Sequence, residues 1–323
     1  MPSLPQGDAI PRILVVNDGS GARSRAVEAR LGQRGAVVAT APLSAIAFDT
    51  GCRGGLSIPC FDDALPDAVF VRSIAAGSFE AITRRLGVLH ALDRLSVPVW
   101  NSARAIERCV DKSMTTFLLM TAGLPTPPTF AVEGRATAEA VAVRELARTP
   151  LVLKPLFGAQ GRGIRLIETL ADLPAEDAVD GVYYLQHYVP RPGPPFRDFR
   201  VFVCAGKVLA MMSRRGDDWI TNVNRGAAPE QVRGQDEDEL ARLATAAAAA
   251  VGADFAGVDI VADGDGRLLV LEVNSMPAWS GLQSVAAVNI ADAIAEALLD
   301  FLAARRKGAP APHPSRLPML AEP

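Results

Sequence analysis

Residues 258–274 hold the pattern that most constrains this chain, with two apolar runs on either side of a turn signal. The runs read Val-Asp-Ile-Val and Leu-Val-Leu-Glu-Val-Asn, and an Asp-Gly-Asp-Gly sequence lies between them. Apolar runs that flank Gly and Asp predict a β-hairpin. Its strands carry Asp259, Glu272 and Asn274 where further Val or Leu would be expected. The hairpin therefore has a place for polar chemistry inside an otherwise apolar element.

Strand periodicity predicts that these three polar side chains share one face. Side chains alternate with period two, so Glu272 and Asn274 point the same way. If the turn closes between the ends of the Asp-Gly-Asp-Gly sequence, Asp259 faces Val270 and joins them. Two carboxylates and an amide are hard oxygen ligands that suit Mg²⁺. Phosphates would supply the remaining ligands of the ion. A turn of odd length would flip one strand and destroy the cluster. The alternative is three solvated side chains on the polar face of the hairpin.

Composition and charge limit the class of protein. The chain has 323 residues, of which 49% are hydrophobic and 21% charged, as is typical of a globular protein with more than one core. A net charge of −3 gives no basic surface for a nucleic acid or a membrane. Four cysteines without a Cys-x-x-Cys pair indicate a reducing compartment, and three histidines are too few for a His-rich metal site. The first residues lack a basic region followed by an apolar core, so we expect a cytoplasmic protein without a signal peptide.

The first hundred residues alternate between predicted strands and helices. Short apolar runs predict strands at 12–17, 36–40, 68–73 and 97–101, and helices are expected at 21–34 and 79–95. Such alternation predicts a parallel sheet in a small α/β domain. Asn17–Gly21 follows the first strand in the manner of a dinucleotide fingerprint. Because Ser24 occupies the third glycine position, an ordinary strand-to-helix turn is favoured.

The remaining chain mixes the two periodicities. Helices are expected over 102–109, 111–122, 137–148, 236–251 and 283–306. Strands are expected at 130–132, 151–155, 164–167, 182–189, 200–203 and 208–212, before the hairpin already described. The Pro-rich residues after 308 predict a disordered tail.

A lysine followed by a glycine-rich loop is the second chemical feature. Lys154 ends an apolar strand, and Gly158, Gly161 and Gly163 come shortly after it. Glycines let backbone N–H groups approach an anion closely. The loop leads into a strand rather than a helix, which excludes a P-loop and a Rossmann turn. A glycine-rich flap behind a lysine suits a lid over a nucleoside triphosphate, and the alternative is an ordinary flexible hairpin.

Other polar residues are suggestive only as a group. Lys112 follows a predicted helix N-cap, and alone it would be a surface lysine. Gln186 and His187 end an apolar strand whose backbone could bond an adenine edge, as could that of any strand. Guanidinium groups bind carboxylates and phosphates with two parallel hydrogen bonds. The charged candidates in this part of the chain are Asp198, Arg200, Arg214 and Arg225.

Together these residues resemble one family. The matching segments occur in order along the chain, and they are Asp111-Lys112, Lys154 with the following Gly-Ala-Gln-Gly-Arg-Gly-Ile, Gln186–Val189, Arg197–Val203, Thr221–Gly226, and Asp259 with Glu272–Ser275. The chain is similar to the ATP-grasp superfamily and, within it, to the RimK-type glutamate ligases. The resemblance extends from the first strand to the closing helix.

The resemblance implies a fold that combines α/β and α+β parts. Residues 1–101 would form a Rossmann-like pre-ATP-grasp domain, and residues 102–308 would form the ATP-grasp domain. Two subdomains, about 102–184 and 185–308, would clasp ATP between them. Residues 309–323 would be a disordered tail.

The resemblance also implies roles for the polar residues. Nucleotide contacts would come from Lys112, Lys154, Gly158, Gly161, Gly163, Gln186, His187, Asp198, Thr221 and Asn222. The two lysines would contact the phosphates, and Gln186 and His187 would lie at the adenine-binding linker. Two Mg²⁺ ions, or Mn²⁺, would be held by Asp259, Glu272 and Asn274, with Glu272 bridging. A substrate carboxylate or phosphate would be oriented by Arg200, Arg214 and Arg225.

The implied reaction joins a carboxylate to an amine with ATP. A substrate carboxylate attacks the γ-phosphate to give an acyl phosphate and ADP, and the amine of L-glutamate then forms an amide. Enzymes of the RimK type act on a ribosomal-protein tail or on cofactors of the methanopterin, deazaflavin and methanofuran kind. This chain looks more like the members that modify cofactors, so a small-molecule acceptor is expected. The number and linkage of the glutamates and the formation of a homo-oligomer stay open. Ala227 and Ala278 replace glycines that are frequent in the family, which affects substrate identity more than phosphate or metal binding. The alternatives are a D-alanine-type dipeptide ligase and a non-catalytic nucleotide-binding regulator.

Overall fold

The structure is a computed structural model that describes residues 10–19, 22–52, 54–62, 64–158, 161–232, 234 and 236–307. These residues form two compact units, one from residues 10–104 with 289–307 and one from residues 105–288. The predicted tail, 309–323, lies outside the described residues. None of the helices in the described ranges has the length and apolar character that crossing a bilayer requires.

The first unit is built on a parallel sheet. Its elements begin, in chain order, with β1 (Arg12–Val16), α1 (Ala22–Gln33), β2 (Val37–Ala41), β3 (Ala47–Phe48), β4 (Leu56–Ser57), β5 (Ala68–Val71), α2 (Phe79–Arg94) and β6 (Val99–Trp100). The sheet order is β2-β1-β5-β6 and every pairing is parallel, as the strand–helix alternation predicted. The residues of β5 and nearly all of β1 are buried, because strands inside a parallel sheet are covered on both faces.

The second unit contains two antiparallel sheets. Its elements follow in chain order as α3 (Ala103–Val110), α4 (Lys112–Thr121), β7 (Thr129–Glu133), α5 (Arg135–Glu145), β8 (Leu151–Lys154), β9 (Arg165–Ile167), β10 (Val182–His187), β11 (Phe196–Cys204), β12 (Lys207–Gly216), β13 (Ala228–Gln231), α6 (Glu237–Val251), β14 (Phe255–Ala262), β15 (Leu268–Asn274) and α7 (Ser280–Gln283). One sheet has the order β7-β10-β8-β9 and the other the order β13-β12-β11-β14-β15. Helix α3 begins just before the division between the units.

Each sheet of the second unit packs on its own helices. Helix α5 covers the smaller sheet through Ala138, Val141 and Ala142. Helices α4 and α6 cover the larger sheet, and the alanine-rich face of α6 supplies much of that core. Small side chains let a helix approach a sheet closely, and Gly252 ends α6 in the left-handed conformation. These layers hold the two sheets as rigid frames for the loops between them.

The chain returns to the first unit in its last helix, α8 (Ile290–Arg306). The helix starts later than the predicted range 283–306, because Asn289 caps it by accepting from the backbone N–H of Asp292. Its buried residues include Ile294 and Leu298, and Asp292 pairs over 3.0 Å with Arg34, the residue that follows α1. The predicted domain limits at 101 and 308 stay predictions.

The pairing of β14 with β15 corrects the predicted hairpin register. Ala262 pairs with Leu268, so the loop between them has an odd number of residues, and by itself it would place Asp259 opposite Leu271. A β-bulge after Asp259 inserts Leu271 as an extra residue, and Asp259 therefore pairs with Glu272. The core side of β15 shows the shift, since Leu268, Val270 and then Val273 are buried. The predicted turn pairing was wrong, whereas the predicted shared face forms through the bulge.

Candidate active site

A pocket in the second unit lies between the two antiparallel sheets. The predicted site residues on its wall are Lys112, Lys154, Gly158, Gly161, Gln186, His187, Asp198, Arg214, Thr221, Asn222, Asp259 and Glu272. The wall does not include the predicted residues Gly163, Arg200, Arg225 and Asn274. The pocket therefore brings together residues from α4, from both sheets and from the loops after β8 and β12.

Asp259 lies in a network of arginines on the floor of the larger sheet. Arg200 donates from Nε and Nη2 to the two Asp259 oxygens over 2.7 and 2.6 Å, and Arg214 Nη2 lies 3.3 Å from Asp259 Oδ2. Residue 200 pairs with residue 259 across adjacent strands, which explains the direct contact. Burial would raise the pKa of Asp259, but the two guanidinium charges lower it to about 2. Asp259 is therefore an anion at neutral pH.

Arg214 joins a second carboxylate to the same network. It donates from Nε and Nη2 to both oxygens of Asp198 over 2.7 and 2.6 Å, and it is only 3% exposed. Burial favours the neutral form, but the charges of Asp259 and Asp198 outweigh it and raise the pKa of Arg214. The guanidinium expected to orient a substrate thus already binds two protein carboxylates.

Glu272 and Asn274 complete the set of oxygen ligands. Asn274 Nδ2 donates to Glu272 Oε1 over 3.0 Å and approaches the Gly257 carbonyl oxygen at 3.4 Å. Because the amide nitrogen serves these acceptors, the amide oxygen is the Asn274 atom suited to a cation. No group of three His, Cys, Asp or Glu side chains within the described ranges is placed to hold a metal. The donor set of Asp259, Glu272 and Asn274 instead fits Mg²⁺ that takes its remaining ligands from phosphates.

Two lysines face the carboxylates across the pocket. Lys154 is buried at the end of β8, and Lys112 starts α4 behind the N-cap Asp111, whose carboxylate accepts from two backbone N–H groups. Burial lowers the pKa of each lysine, and the charge of Glu272 opposes that effect in both. The Lys112 ammonium donates to the carbonyl oxygens of Leu156 and Gly158 over 3.1 and 3.0 Å. The pocket therefore has cations on one side and carboxylates on the other.

The glycine-rich loop after β8 packs closely against the loop after β12, which contains Ile220. Gly161 and Gly163 have φ angles of +69° and +71°, where other residues are strained. A Cβ on Gly161 would lie 3.1 Å from Ile220, and one on Gly163 would lie 2.8 Å from Pro155. These positions require glycine for backbone conformation and for close approach. Residues 159 and 160 of the loop lie outside the described residues.

Three of the predicted site residues bond to other protein groups, although they were expected to contact the nucleotide or the substrate. His187 Nε2 and the buried Glu145 carboxylate lie 2.9 Å apart, so the imidazole bonds to α5. Arg225 pairs with Asp218 over 3.2 Å at an exposed position. The Asn222 side chain accepts from the backbone N–H of Asn224 and caps a short turn.

Sequence reasoning missed the apolar wall and two arginines. The wall residues outside the predicted set are Val152, Pro155, Arg162, Ile164, Tyr188, Val189, Arg191, Trp219, Ile220, Val261 and Leu271. Arg191 donates to the carbonyl oxygens of Arg197 and Trp219, and Tyr188 lies edge-on to Trp219 with ring centroids 5.7 Å apart. Only the Tyr-Val pair after His187 gave a signal in the sequence, because a loop tryptophan or arginine reveals its partners only in three dimensions.

Comparisons with known proteins agree with this arrangement. The RimK-like ATP-grasp domain family matches residues 109–298. The tetrahydromethanopterin:alpha-L-glutamate ligase of Methanococcus maripaludis is 34% identical over 264 residues, which cover 80% of this chain and 85% of that protein. The enzyme of the same name from Methanocaldococcus jannaschii is 34% identical over 246 residues, 73% of this chain and 80% of that protein.

Solved structures show the same fold. The ATP-grasp ligase PsnB with a minimal precursor superposes with a TM-score of 0.69 at 21% identity, over 90% of this chain and 99% of that one. A RimK domain ATP-grasp protein from Sphaerobacter thermophilus superposes with a TM-score of 0.66 at 20% identity, over 89% of this chain and 99% of that one. Since the family match spans the whole pocket and its relatives cover most of the chain, this protein belongs to the RimK-like ATP-grasp family and is an ATP-dependent carbon–nitrogen ligase.

Proposed function

We propose that this enzyme joins L-glutamate to a carboxylate of a reduced pterin cofactor of the tetrahydromethanopterin type, with ATP converted to ADP and phosphate. The observation that carries the chemistry is the opposition of Lys112 and Lys154 to Asp259 and Glu272 across one pocket. Opposed cations and carboxylates suit a magnesium–triphosphate complex, because the lysines match the phosphates and the carboxylates match the metal. The acceptor class is supported by the two relatives named tetrahydromethanopterin:alpha-L-glutamate ligase, each 34% identical to this chain.

The residues have separable tasks in the proposed reaction. Lys112 and Lys154 would hold the phosphates, while the apolar wall that includes Val152 and Leu271 would cover the base. Asp259, Glu272 and Asn274 would hold Mg²⁺, which screens the negative charge of the transferring phosphoryl group. We propose two ions with Glu272 between them, and Mn²⁺ as a substitute.

The arginine network would position the carboxylates of the site. Arg200 and Arg214 fix the orientation of Asp259 before any ligand arrives, so the carboxylate needs little reorganisation when substrates bind. Exposed Arg225, with its partner Asp218, is the guanidinium best placed to exchange a protein carboxylate for one of a substrate. The acceptor carboxylate attacks the γ-phosphate to give an acyl phosphate and ADP. The amine of glutamate then displaces phosphate and forms the amide.

Product analysis tests the proposal. The enzyme is incubated with ATP, Mg²⁺, L-glutamate and a panel of carboxylates that includes tetrahydromethanopterin, tetrahydrofolate and D-alanine, and the nucleotides and amides are resolved. We expect ADP and one added glutamate or more on the tetrahydropterin. AMP as the coupled product would contradict acyl-phosphate chemistry. An amide formed from two D-alanines would identify a dipeptide ligase, and ADP without an amide for any acceptor would favour a regulator.

A further inference from the structure

Lys154 lies in a shell of polar side chains behind the pocket. It is 7% exposed, and its ammonium donates to Gln186 Oε1 over 2.7 Å. The ammonium also lies 5.9 Å from the centroid of the Tyr184 ring. Tyr184 pairs with Lys154 across β10 and β8, and Gln186 pairs with Val152. Gln186 is thus a diagonal neighbour of Lys154 on the same face of the sheet.

The hydrogen bonds around Gln186 fix which way its amide points. Thr129 Oγ1 donates its hydrogen to the Pro127 carbonyl oxygen over 2.8 Å, so this hydroxyl can only accept from Gln186. The Gln186 amide nitrogen therefore faces Thr129 at 3.0 Å, and the amide oxygen faces Lys154. Lysine has only donors, so the two ends of the amide are assigned consistently.

Tyr184 is held in the same manner. Thr116 Oγ1 donates to the Lys112 carbonyl oxygen over 2.9 Å, and this leaves its oxygen to accept from the Tyr184 hydroxyl at 2.7 Å. The Tyr184 oxygen in turn lies 3.4 Å from the Gln186 amide nitrogen. The shell is therefore a directed chain of hydrogen bonds that begins with donation from the Lys154 ammonium.

We propose that Gln186 is a positioning residue that acts on the nucleotide through Lys154 rather than by contact with the base. Its amide oxygen takes one of the three ammonium hydrogens and directs the other two into the pocket. The two amide hydrogens face the Thr129 hydroxyl at 3.0 Å and the Tyr184 hydroxyl at 3.4 Å, so neither is left for a purine. This inference rests on the proposed nucleotide site, but its test needs only nucleotide binding, not the acceptor.

A double-mutant cycle tests the proposal by calorimetric titration of a non-hydrolysable ATP analogue with Mg²⁺. Gln186→Met keeps the size of the side chain and removes the acceptor, and it should weaken binding about tenfold, as loss of a hydrogen bond to a charged group does. Lys154→Met should weaken binding more. If Gln186 acts through Lys154, adding Gln186→Met to Lys154→Met has no further effect. Equal and additive losses in both backgrounds would overturn the proposal.

Two further measurements separate positioning from base contact and from misfolding. Thr129→Val removes the hydroxyl that orients the amide, at a residue outside the pocket wall, and should weaken binding several-fold only when Lys154 is present. The preference for ATP over GTP analogues should stay the same in Gln186→Met, and a changed preference would contradict the proposal. Gln231→Met on β13 is the matched control and should bind like the wild type. Thermal melts of each variant establish that the fold persists.

Discussion

The negative charge of Glu272 is not paired with an arginine among the described contacts, unlike that of Asp259. Glu272 faces the two lysines and accepts from Asn274, whereas Asp259 is already balanced by Arg200 and Arg214. The two carboxylates therefore start from different electrostatic states. A cation entering the pocket gains most from Glu272, because no arginine is paired with it among the described contacts.

Replacement of Glu272 by Gln should abolish ligase turnover while the fold survives. The amide has nearly the shape of the carboxylate but lacks the charge that a metal requires, so we expect a loss of turnover of about a hundredfold or more. ADP release measures turnover, and the thermal melt measures the fold. Glu230→Gln at an exposed pair with Arg197 is the matched control. Wild-type turnover in the Glu272 variant would refute its role at the metal.

Asp254 is a buried carboxyl outside the pocket. Burial raises its pKa from 3.8 to about 7. Between about pH 4 and pH 7 the unfolded chain has released this proton and the folded chain has kept it, so the folded state binds more protons. The contribution of Asp254 to stability is therefore present below its unfolded pKa and is lost as the pH rises through about 7.

Asp254→Asn should remove this pH dependence. The amide stays neutral, so the melting temperature of the variant relative to wild type should increase as the pH rises from about 4 to about 8. Thermal melts of both proteins across that range provide the measurement. Asp180→Asn, at an exposed turn residue with left-handed backbone, is the control and should shift equally at each pH. Parallel curves for wild type and Asp254→Asn would contradict the assignment.

At the scale of elements, the β14–β15 hairpin shows how a local irregularity sets a site. Without a bulge, the five-residue loop would pair Asp259 with Leu271 and place Glu272 on the core side. The bulge lets Leu271 and Glu272 both line the pocket although they are consecutive. One extra residue therefore supplies an apolar contact and keeps the carboxylates on one face.

Deletion of Leu271 should preserve the carboxylate face and weaken nucleotide binding. With the extra residue removed, regular pairing still brings Glu272 opposite Asp259 and Asn274 opposite Gly257. The pocket loses one apolar side chain, so the affinity for an ATP analogue should fall about tenfold. Titration with Mn²⁺ in the presence of the analogue should still show metal binding. Loss of metal binding with an intact thermal melt would show that the bulge itself shapes the ligands, and Leu271→Ala is the control that keeps the bulge.

At the scale of the whole molecule, the first unit is built from two separate stretches of the chain. Residues 289–307 follow the second unit in sequence but belong to the first. Helix α8 packs on α1 there, and the Phe301 ring lies against the Trp100 ring at a tilt of 59° with centroids 5.6 Å apart. Arg305 also donates to the Ser96 carbonyl oxygen. The first unit is therefore incomplete until the last helix has been made.

Truncation after Val288 should destabilise the first unit. It removes the buried face of α8, including Ile294, Leu298 and Leu302, and it exposes α1 to solvent. Hydrogen exchange should increase in β1 and β5, while the second unit keeps its protection. Truncation after Lys307 is the control, and it also tests the predicted disorder of the tail, since it should leave the melting temperature unchanged. Equal protection of β1 in both truncations would contradict the role of α8.

The sequence by itself predicted most of the elements and many of the residues that line the pocket. Alternation of apolar runs and helices predicted the parallel sheet, and Asp111 predicted the start of α4, because these signals depend on neighbouring residues. Twelve of the sixteen predicted site residues line one pocket. They could be predicted because their order along the chain resembles that of a known family. Their individual roles stay predictions.

Only the tertiary structure decided the partners of the polar groups. The bulge at Leu271, the capture of Arg200 by Asp259 and the orientation of the Gln186 amide each depend on residues distant in sequence. Arg200 and Asp259 are 59 positions apart, and no local pattern states which carboxylate a guanidinium will meet. Burial then fixes the choice, because a desolvated charge or amide must be satisfied by whatever the packed sheets place beside it.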